Sequence, residues 1–130
     1  MIITFKYDNS YNPSMPVIPV TLVSVDDDQT ASEPIEAIVD SGADGTVIPI
    51  AYLKTIQAPM VRKARLRGIT GVGIWADIYL VSMRIGPLKL SGIRVIASPG
   101  AEAILGRNVL NQLVLGLNGP AESVELHVDG

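Results

Sequence analysis

An all-β fold, barrel or sandwich, is the class that this sequence predicts. Short apolar or alternating runs, bounded by Gly, Pro, Asn and Asp, recur from one end of the chain to the other. Runs with helical periodicity are scarce. The 130 residues suit a single domain, residues 1–130, that carries one copy of each motif.

The predicted strands pair mostly in antiparallel fashion. In chain order they are Ile2 to Tyr7, Val17 to Val25, Ile35 to Val39, Thr46 to Ile48, Met60 to Arg67, Ile74 to Ile85, Leu88 to Ala97, Val114 to Asn118 and Ser123 to Val128. Two short helices fit between them, because apolar residues recur there at helical spacing. One runs from Ile50 to Ile56 and is opened by Pro49. The other runs from Arg107 to Leu113 and is entered through Gly106.

The composition narrows the possible chemistry. Cysteine is absent and His127 is the single histidine, which excludes disulfides, cysteine-bound zinc and a histidine cluster. We therefore expect no metal and no cofactor. His127 lies in the alternating run Val124 to Val128, which predicts a surface strand residue and not a member of a Ser-His-Asp triad. The formal net charge of −3 is opposite in sign to that of a nucleic-acid binder.

No segment predicts insertion into a membrane or export. The longest apolar run, Val17 to Val25, is far shorter than the roughly 20 residues that span a bilayer, and it contains Pro19 and Thr21. Met1 to Tyr7 shows no basic segment followed by an apolar block and a cleavage site. We expect no membrane partner and a cytoplasmic location.

The segment Asp40-Ser41-Gly42-Ala43-Asp44 lies between two apolar runs, Ala37 to Val39 and Thr46 to Ile50. This arrangement predicts a carboxylate at the mouth of a tight turn between buried strands. Neighbouring carboxylates in a site shielded from water cannot all ionise, so they share a proton, and such a pair can activate water. Asp, Ser and Gly are also ordinary turn residues, so the motif alone leaves a plain loop as the alternative.

A glycine-rich segment, Gly68-Ile69-Thr70-Gly71-Val72-Gly73, joins two of the predicted strands. Its glycines permit the positive backbone angles of a hairpin turn, and no helix follows that could hold a nucleotide phosphate. It predicts a mobile apolar hairpin, with an ordinary β-turn as the alternative. Trp75, just beyond it, is expected to pack one arm of this hairpin onto the rest of the domain. The less favoured alternative is that it lines a pocket. Alternation places Lys63, Arg65 and Arg67 on one face of the preceding arm, as a solvated surface or as a bias toward acidic ligands.

A third motif, Ala103-Ile104-Leu105-Gly106-Arg107-Asn108, has three apolar residues before a glycine and an arginine after it. An arginine beside a buried site usually pairs with a carboxylate, because its fork of donors matches one. Asp44 is the expected partner of Arg107.

These three motifs, in this order, resemble those of the retropepsin-like aspartic proteases, the single-domain homodimeric relatives of the pepsins. The family's pattern is two apolar residues, Asp, Thr or Ser, Gly and Ala; then a glycine-rich flap; then two apolar residues and a Gly that opens a short helix. The resemblance covers about Ile35 to Leu117 at the level of motif order.

The resemblance implies a single-lobe closed β-barrel with a flap hairpin. It also implies a homodimer, because one motif supplies only one of two catalytic aspartates. Asp40 is then the catalytic aspartate, the Ser41 hydroxyl bonds backbone across the two-fold axis, and Gly42 lets the substrate backbone approach. The implied substrate-binding residues are Ala43, Asp44, Gly45, Thr70, Gly71, Val72 and Gly73, and the implied structural supports are Gly106 and Arg107.

The implied activity is that of an aspartic endopeptidase with an acidic optimum, which cleaves extended, mostly apolar peptides and binds pepstatin-type inhibitors. One alternative is a catalytically silent dimeric module with the same fold that binds peptides, since a motif shows residues and not a working geometry. Another is a glycosidase that uses Asp40 and Asp44, which the scarcity of aromatic residues disfavours.

Two features depart from the family's pattern. Ser41 stands where retroviral enzymes mostly have Thr, a change that retains the hydroxyl. Beyond Leu113 the chain continues as a hairpin, Val114 to Asn118 and Ser123 to Val128, where the family has a single terminal strand. Such an apolar hairpin would be a natural isologous dimer surface, so the sequence leaves open which strands form the interface.

Overall fold

Strands dominate the computed structural model, which describes residues 1–67, 71 and 73–129. The strands are β1 (Ile2–Lys6), β2 (Val17–Val23), β3 (Ile35–Val39), β4 (Thr46–Pro49), β5 (Met60–Arg67), β6 (Gly73–Ile85), β7 (Leu88–Ser98), β8 (Ala103–Leu105), β9 (Val114–Asn118) and β10 (Ser123–His127). The helices are α1 (Ile50–Thr55) and α2 (Arg107–Leu110). The predicted all-β class with short helices is confirmed.

The central feature is a closed barrel. Its strands pair in the order β2-β3-β8-β4-β7-β6, and a further pairing of β2 with β6 closes the ring. The pairings are antiparallel except for β3 with β8 and β4 with β7, which are parallel. β5 pairs with β6 outside the ring. A separate sheet has the order β1-β10-β9.

Aliphatic side chains at alternate strand positions fill the barrel, because successive residues of a strand point to opposite faces. Ile18 and Leu22 of β2, Ile48 of β4 and Leu105 of β8 are all fully buried. Full burial of one such side chain stabilises the fold by about 1.5–3 kcal/mol. Leu126 of β10 belongs to the same cluster, so the three-stranded sheet is packed onto the barrel.

The largest difference from the predicted elements is β8. Its three residues, Ala103–Leu105, are too few to show a strand's alternation, and they form a strand because they lie between β3 and β4 in the barrel. The second helix is also shorter than predicted, since it ends at Leu110 and continues to Leu113 only as a turn. His127 is exposed at the end of β10, as predicted.

No helix within the described residues is long and apolar enough to cross a membrane.

Candidate active site

Asp40 follows β3 and is half-buried at the start of a tight turn. Its N–H donates to the carbonyl oxygen of Leu105 at 3.2 Å, and its own carbonyl accepts from the N–H of Ala43 at 3.2 Å. The Asp40 carboxylate also takes part, because Oδ1 accepts from the N–H of Gly42 at 2.9 Å. The backbone before and after Asp40 is therefore anchored, and the turn itself orients the carboxylate.

The Asp40 turn is docked on the segment that opens α2. The N–H of Arg107 donates to the carbonyl oxygen of Ala43 at 2.8 Å. The guanidinium of Arg107 donates through Nη1 to the carbonyl oxygen of Ser41 at 2.8 Å. Arg107 thus binds the turn through both its backbone and its side chain.

The predicted ion pair between Asp44 and Arg107 is not formed. Ion pairs within the described part of the chain join Lys63 to Asp77 and Lys89 to Asp28. Asp44 is exposed, so its carboxylate is well solvated. The tight turn presents the carbonyl oxygen of Ser41 to the guanidinium, and this backbone acceptor takes the place of the carboxylate.

A hydrogen-bond network centred on the buried Thr46 side chain was not predicted. Thr46 is fully buried, and its Oγ1 donates to Asn108 Oδ1 at 2.7 Å while it accepts from the Gly106 N–H at 3.0 Å. Asn108 Nδ2 donates in turn to the carbonyl oxygen of Arg94 at 2.9 Å. The network joins β4, β7 and α2. A hydroxyl at the start of a buried strand was the one available signal, and it did not reveal a partner 62 residues away.

Two glycines lie where a side chain would be excluded or crowded. A Cβ on Gly106 would overlap the backbone carbonyl group of Gly45, so these two predicted site residues lie in direct backbone contact. A Cβ on Gly42 would lie 3.1 Å from Asp40 Oδ1. Gly106 therefore allows the backbone of Gly45 to approach, and Gly42 leaves room beside the Asp40 carboxylate.

The β5–β6 hairpin contains the glycine-rich segment. The two strands pair antiparallel from Met60 opposite Tyr79 to Arg67 opposite Gly73. Gly71 has a φ of 78°, the left-handed conformation that glycine favours. The predicted substrate contacts Thr70 and Val72 lie outside the described residues.

An apolar cavity of about 680 Å³ is lined by residues of this hairpin and by the barrel. Its walls include Val47, Leu66, Ile74, Trp75 and Ile96. Trp75 is 68% exposed, so the expectation that it packs the arm onto the body is wrong, and the alternative of a pocket wall is confirmed.

The same cavity has an ion pair in its wall. Lys63 Nζ lies 2.8 Å from Asp77 Oδ1. The hydrogen bond to Asp77 and the charge of that carboxylate hold the pKa of Lys63 above its ordinary value of 10.5. Lys63, one of the three basic residues predicted to share a face of β5, therefore forms an ion pair within the hairpin.

A closed six-stranded barrel with an Asp-Ser-Gly turn at the end of an inner strand, tied to a short helix, defines the class of the retropepsin-like aspartic proteases. A family model described as "gag-polyprotein putative aspartyl protease" matches residues 29–112. The chain belongs to this family. Among curated proteins, none matches the sequence.

Solved structures show the same fold. A retropepsin-like aspartic protease from Rickettsia conorii aligns over 97% of this chain and 90% of its own, with a TM-score of 0.64 and 13% identity. EIAV protease in complex with the inhibitor HBY-793 aligns over 75% of this chain and 86% of its own, with a TM-score of 0.55 and 21% identity. The retroviral protease-like domain of Ddi1 from Leishmania major covers 82% of each chain, with a TM-score of 0.51 and 19% identity.

Proposed function

We propose that this protein is an aspartic endopeptidase that works as a homodimer, with Asp40 of each subunit forming a dyad. The observation that carries the proposal is the Asp40 turn. Its carboxylate is oriented by the Gly42 N–H, and its backbone is tied to Leu105 and Ala43. Such fixed geometry is what catalysis by positioned carboxylates requires. Because each chain contributes one such turn, a second copy must supply the other aspartate.

Hydrolysis by the dyad follows from two carboxyl groups that share one proton. The ionised Asp40 takes a proton from a water molecule, which attacks the carbonyl carbon of the scissile peptide bond. The protonated Asp40 of the other subunit donates to the carbonyl oxygen. The Asp40 that took the proton from water then donates it to the peptide nitrogen, while the other Asp40 accepts a proton from a hydroxyl of the diol. The carbon–nitrogen bond breaks, and the dyad again holds one proton. No covalent enzyme intermediate, metal or cofactor takes part.

The substrate is an extended, mostly apolar peptide segment. The cavity beneath the β5–β6 hairpin is walled largely by aliphatic side chains and Trp75, which favours apolar side chains. Exposed Asp44 contacts the substrate backbone beside the turn. Closure of the hairpin over the peptide, with Gly71 and Gly73 near its tip, excludes water from the dyad.

The decisive experiment compares wild type with Asp40→Asn in a pH series of cleavage on a denatured mixed-protein substrate. We expect wild type to cleave fastest in acid, because the mechanism requires a proton on one of the two Asp40 carboxyl groups. Asp40→Asn should lose at least about 10³-fold in rate, because it removes both acid and base. Asp26→Asn is the matched control, since it makes the same chemical change at an exposed loop position and should cleave like wild type.

Near-wild-type cleavage by Asp40→Asn would remove Asp40 from the mechanism. If a verified wild-type dimer binds peptides or pepstatin but cuts no substrate, the function is that of the silent peptide-binding module.

A further inference from the structure

The β5–β6 hairpin is a cationic element in an acidic chain. Residues 60–79 contain four of the ten basic side chains of the protein and only one of its thirteen acidic ones, while the formal net charge of the whole chain is −3. That one acidic residue, Asp77, is already paired with Lys63. The hairpin therefore has an excess of positive charge that its own carboxylate does not neutralise, and such an excess attracts anionic groups.

Arg65 lies beside the apolar cavity. Lys63 and Arg65 share one face of β5, because side chains alternate along a strand. Directly opposite them on β6 lie Asp77 and Trp75, and directly opposite residues share a face of a sheet. Three of these four residues, Lys63, Asp77 and Trp75, line the cavity. The fourth, Arg65, is exposed on the same face, at the side of the cavity.

The Arg65 side chain is placed by a glycine. A Cβ on Gly73 would overlap Arg65 Nε, so the arginine crosses Gly73 in the space that a side chain there would fill. Within residues 1–67, 71 and 73–129, no carboxylate forms an ion pair with Arg65. A guanidinium stays charged and presents a planar fork of donors that matches a carboxylate. Arg65 is therefore free to bind a carboxylate that comes from another molecule.

The cavity and Asp40 lie on adjoining strands. Val47, in the cavity wall, pairs with Ile104 of β8. The next residue, Leu105, accepts the hydrogen bond from the Asp40 N–H. An extended peptide that reaches Asp40 can therefore fill the cavity with one apolar side chain and bring a neighbouring side chain to Arg65.

We propose that Arg65 is a specificity-determining residue that binds the carboxylate of a substrate Asp or Glu. The preferred substrates are then extended apolar segments that contain an acidic residue at one fixed position relative to the cleaved bond. Lys63 adds positive charge on the same face, and its ammonium group retains donors beyond the one that is bonded to Asp77. The inference rests on the proposed function and deepens it, because it names the class of substrate.

The first experiment measures the preference without assuming a sequence. Wild type digests a denatured protein mixture, and mass spectrometry identifies the residues around each cleaved bond. In parallel, immobilised Asp40→Asn retains peptides from a random library, which reports binding in the absence of cleavage. We expect Asp and Glu to be enriched at least about three-fold over their background frequency at one position, in the cleaved and in the retained sequences.

Charge reversal identifies the residue responsible. Arg65→Glu should abolish the enrichment of acidic residues and produce an enrichment of Lys and Arg at the same position. Lys6→Glu is the matched control, because it reverses a charge at an exposed site of the separate β1-β10-β9 sheet, and it should retain the wild-type preference. Gly73→Ala is a second check. Its Cβ displaces the Arg65 side chain, so the acidic enrichment should fall although the arginine is still present.

The ionisation of the substrate gives a readout that a purely structural role of Arg65 would not change. The best sequence is synthesised with Glu and with Gln at the preferred position. The Glu peptide should exceed the Gln peptide at least about five-fold in kcat/KM at about pH 5.5. The ratio should approach unity at about pH 3, because a Glu side chain with its ordinary pKa of about 4.3 is protonated there while Arg65 stays charged.

The outcomes separate this inference from the protease proposal. Equal use of acidic and neutral sequences makes Arg65 a solvated surface residue and refutes the inference, as does an acidic preference that is unchanged in Arg65→Glu. Acidic peptides retained by Asp40→Asn without any cleavage by wild type uphold the role of Arg65 and refute the protease. Cleavage without an acidic preference does the reverse. If nothing is cleaved and nothing is retained, both proposals fail.

Discussion

The Asp40 turn and the β5–β6 hairpin lie in the same chain but are held in very different ways. The turn is bonded to β8 and to Arg107 at the start of α2, and the partly buried Thr46–Asn108 bond ties α2 to β4. Residues Gly73 to Asp77 of the hairpin pair only with β5, because the pairing of β6 with β7 begins at Ile78. The Asp40 turn is therefore held by contacts from several elements, while this part of the β5–β6 hairpin depends on pairing within the hairpin itself.

The largest loss of stability is expected from Gly106→Ala. The new Cβ would overlap the backbone of Gly45, which cannot move without displacing the Asp40 turn. We expect a loss of about 3 kcal/mol or more in the free energy of unfolding, measured by urea denaturation. Gly116→Ala is the control, since its Cβ would make only ordinary contacts. Equal stability of the two variants would contradict the close approach.

The second largest loss of stability is expected from Thr46→Val, which keeps the shape of the side chain and removes its hydroxyl. The buried Gly106 N–H loses its acceptor, and Asn108 Oδ1, on an exposed residue, loses its donor. One unsatisfied buried group costs about 1–3 kcal/mol, so we expect a loss of about 2 kcal/mol in the free energy of unfolding. Thr55→Val is a suitable comparison, because the Thr55 hydroxyl bonds a backbone carbonyl at an exposed site. If Thr46→Val is no more costly than Thr55→Val, the network does not support the turn.

Substitution of a glycine in the β5–β6 hairpin should destabilise the fold much less. A Cβ on Gly73 would overlap the side chain of Arg65, which is long and can adopt another rotamer. We expect Gly73→Ala to cost less than about 1 kcal/mol, far below Gly106→Ala. Urea denaturation of both variants side by side makes the comparison. A cost for Gly73→Ala that approaches that of Gly106→Ala would mean that the arm is as tightly fixed as the turn.

The smallest change in stability is expected from removal of the ion pair between Lys63 and Asp77. The hydrogen bond to Asp77 and its charge raise the pKa of Lys63 above 10.5, so the charged lysine favours the folded state. This stabilisation is complete below the unfolded pKa and is lost as the pH rises through the folded pKa. The free energies of unfolding of wild type and Lys63→Met should therefore differ at pH 9 and converge above about pH 10.5. A difference that persists undiminished in alkali would assign the effect to packing of the lysine stem.

The sequence predicted most of the fold because strand signals are local. Alternation and turn residues identified both long arms of the hairpin, and the terminal strands β9 and β10. β8 was not predicted because three residues are too few to show the two-residue alternation of a strand. Only their place between β3 and β4 makes them a strand. The role of Trp75 was misjudged for a related reason. Its amphipathic ring suits both packing and a pocket wall, and only the course of β6 decides between them.

By itself the sequence determined the all-β class and the Asp40 turn, because backbone preferences and side-chain alternation act over a few neighbouring residues. The tertiary structure alone decided which distant groups meet. It paired Thr46 with Asn108, directed Arg107 to the carbonyl of Ser41 instead of to Asp44, and left β9 as an apolar edge. The physical reason is that a hydrogen bond or ion pair depends on ångström-scale positions of segments far apart in the chain. Closure of the barrel sets those positions, and they cannot be predicted from local residue patterns.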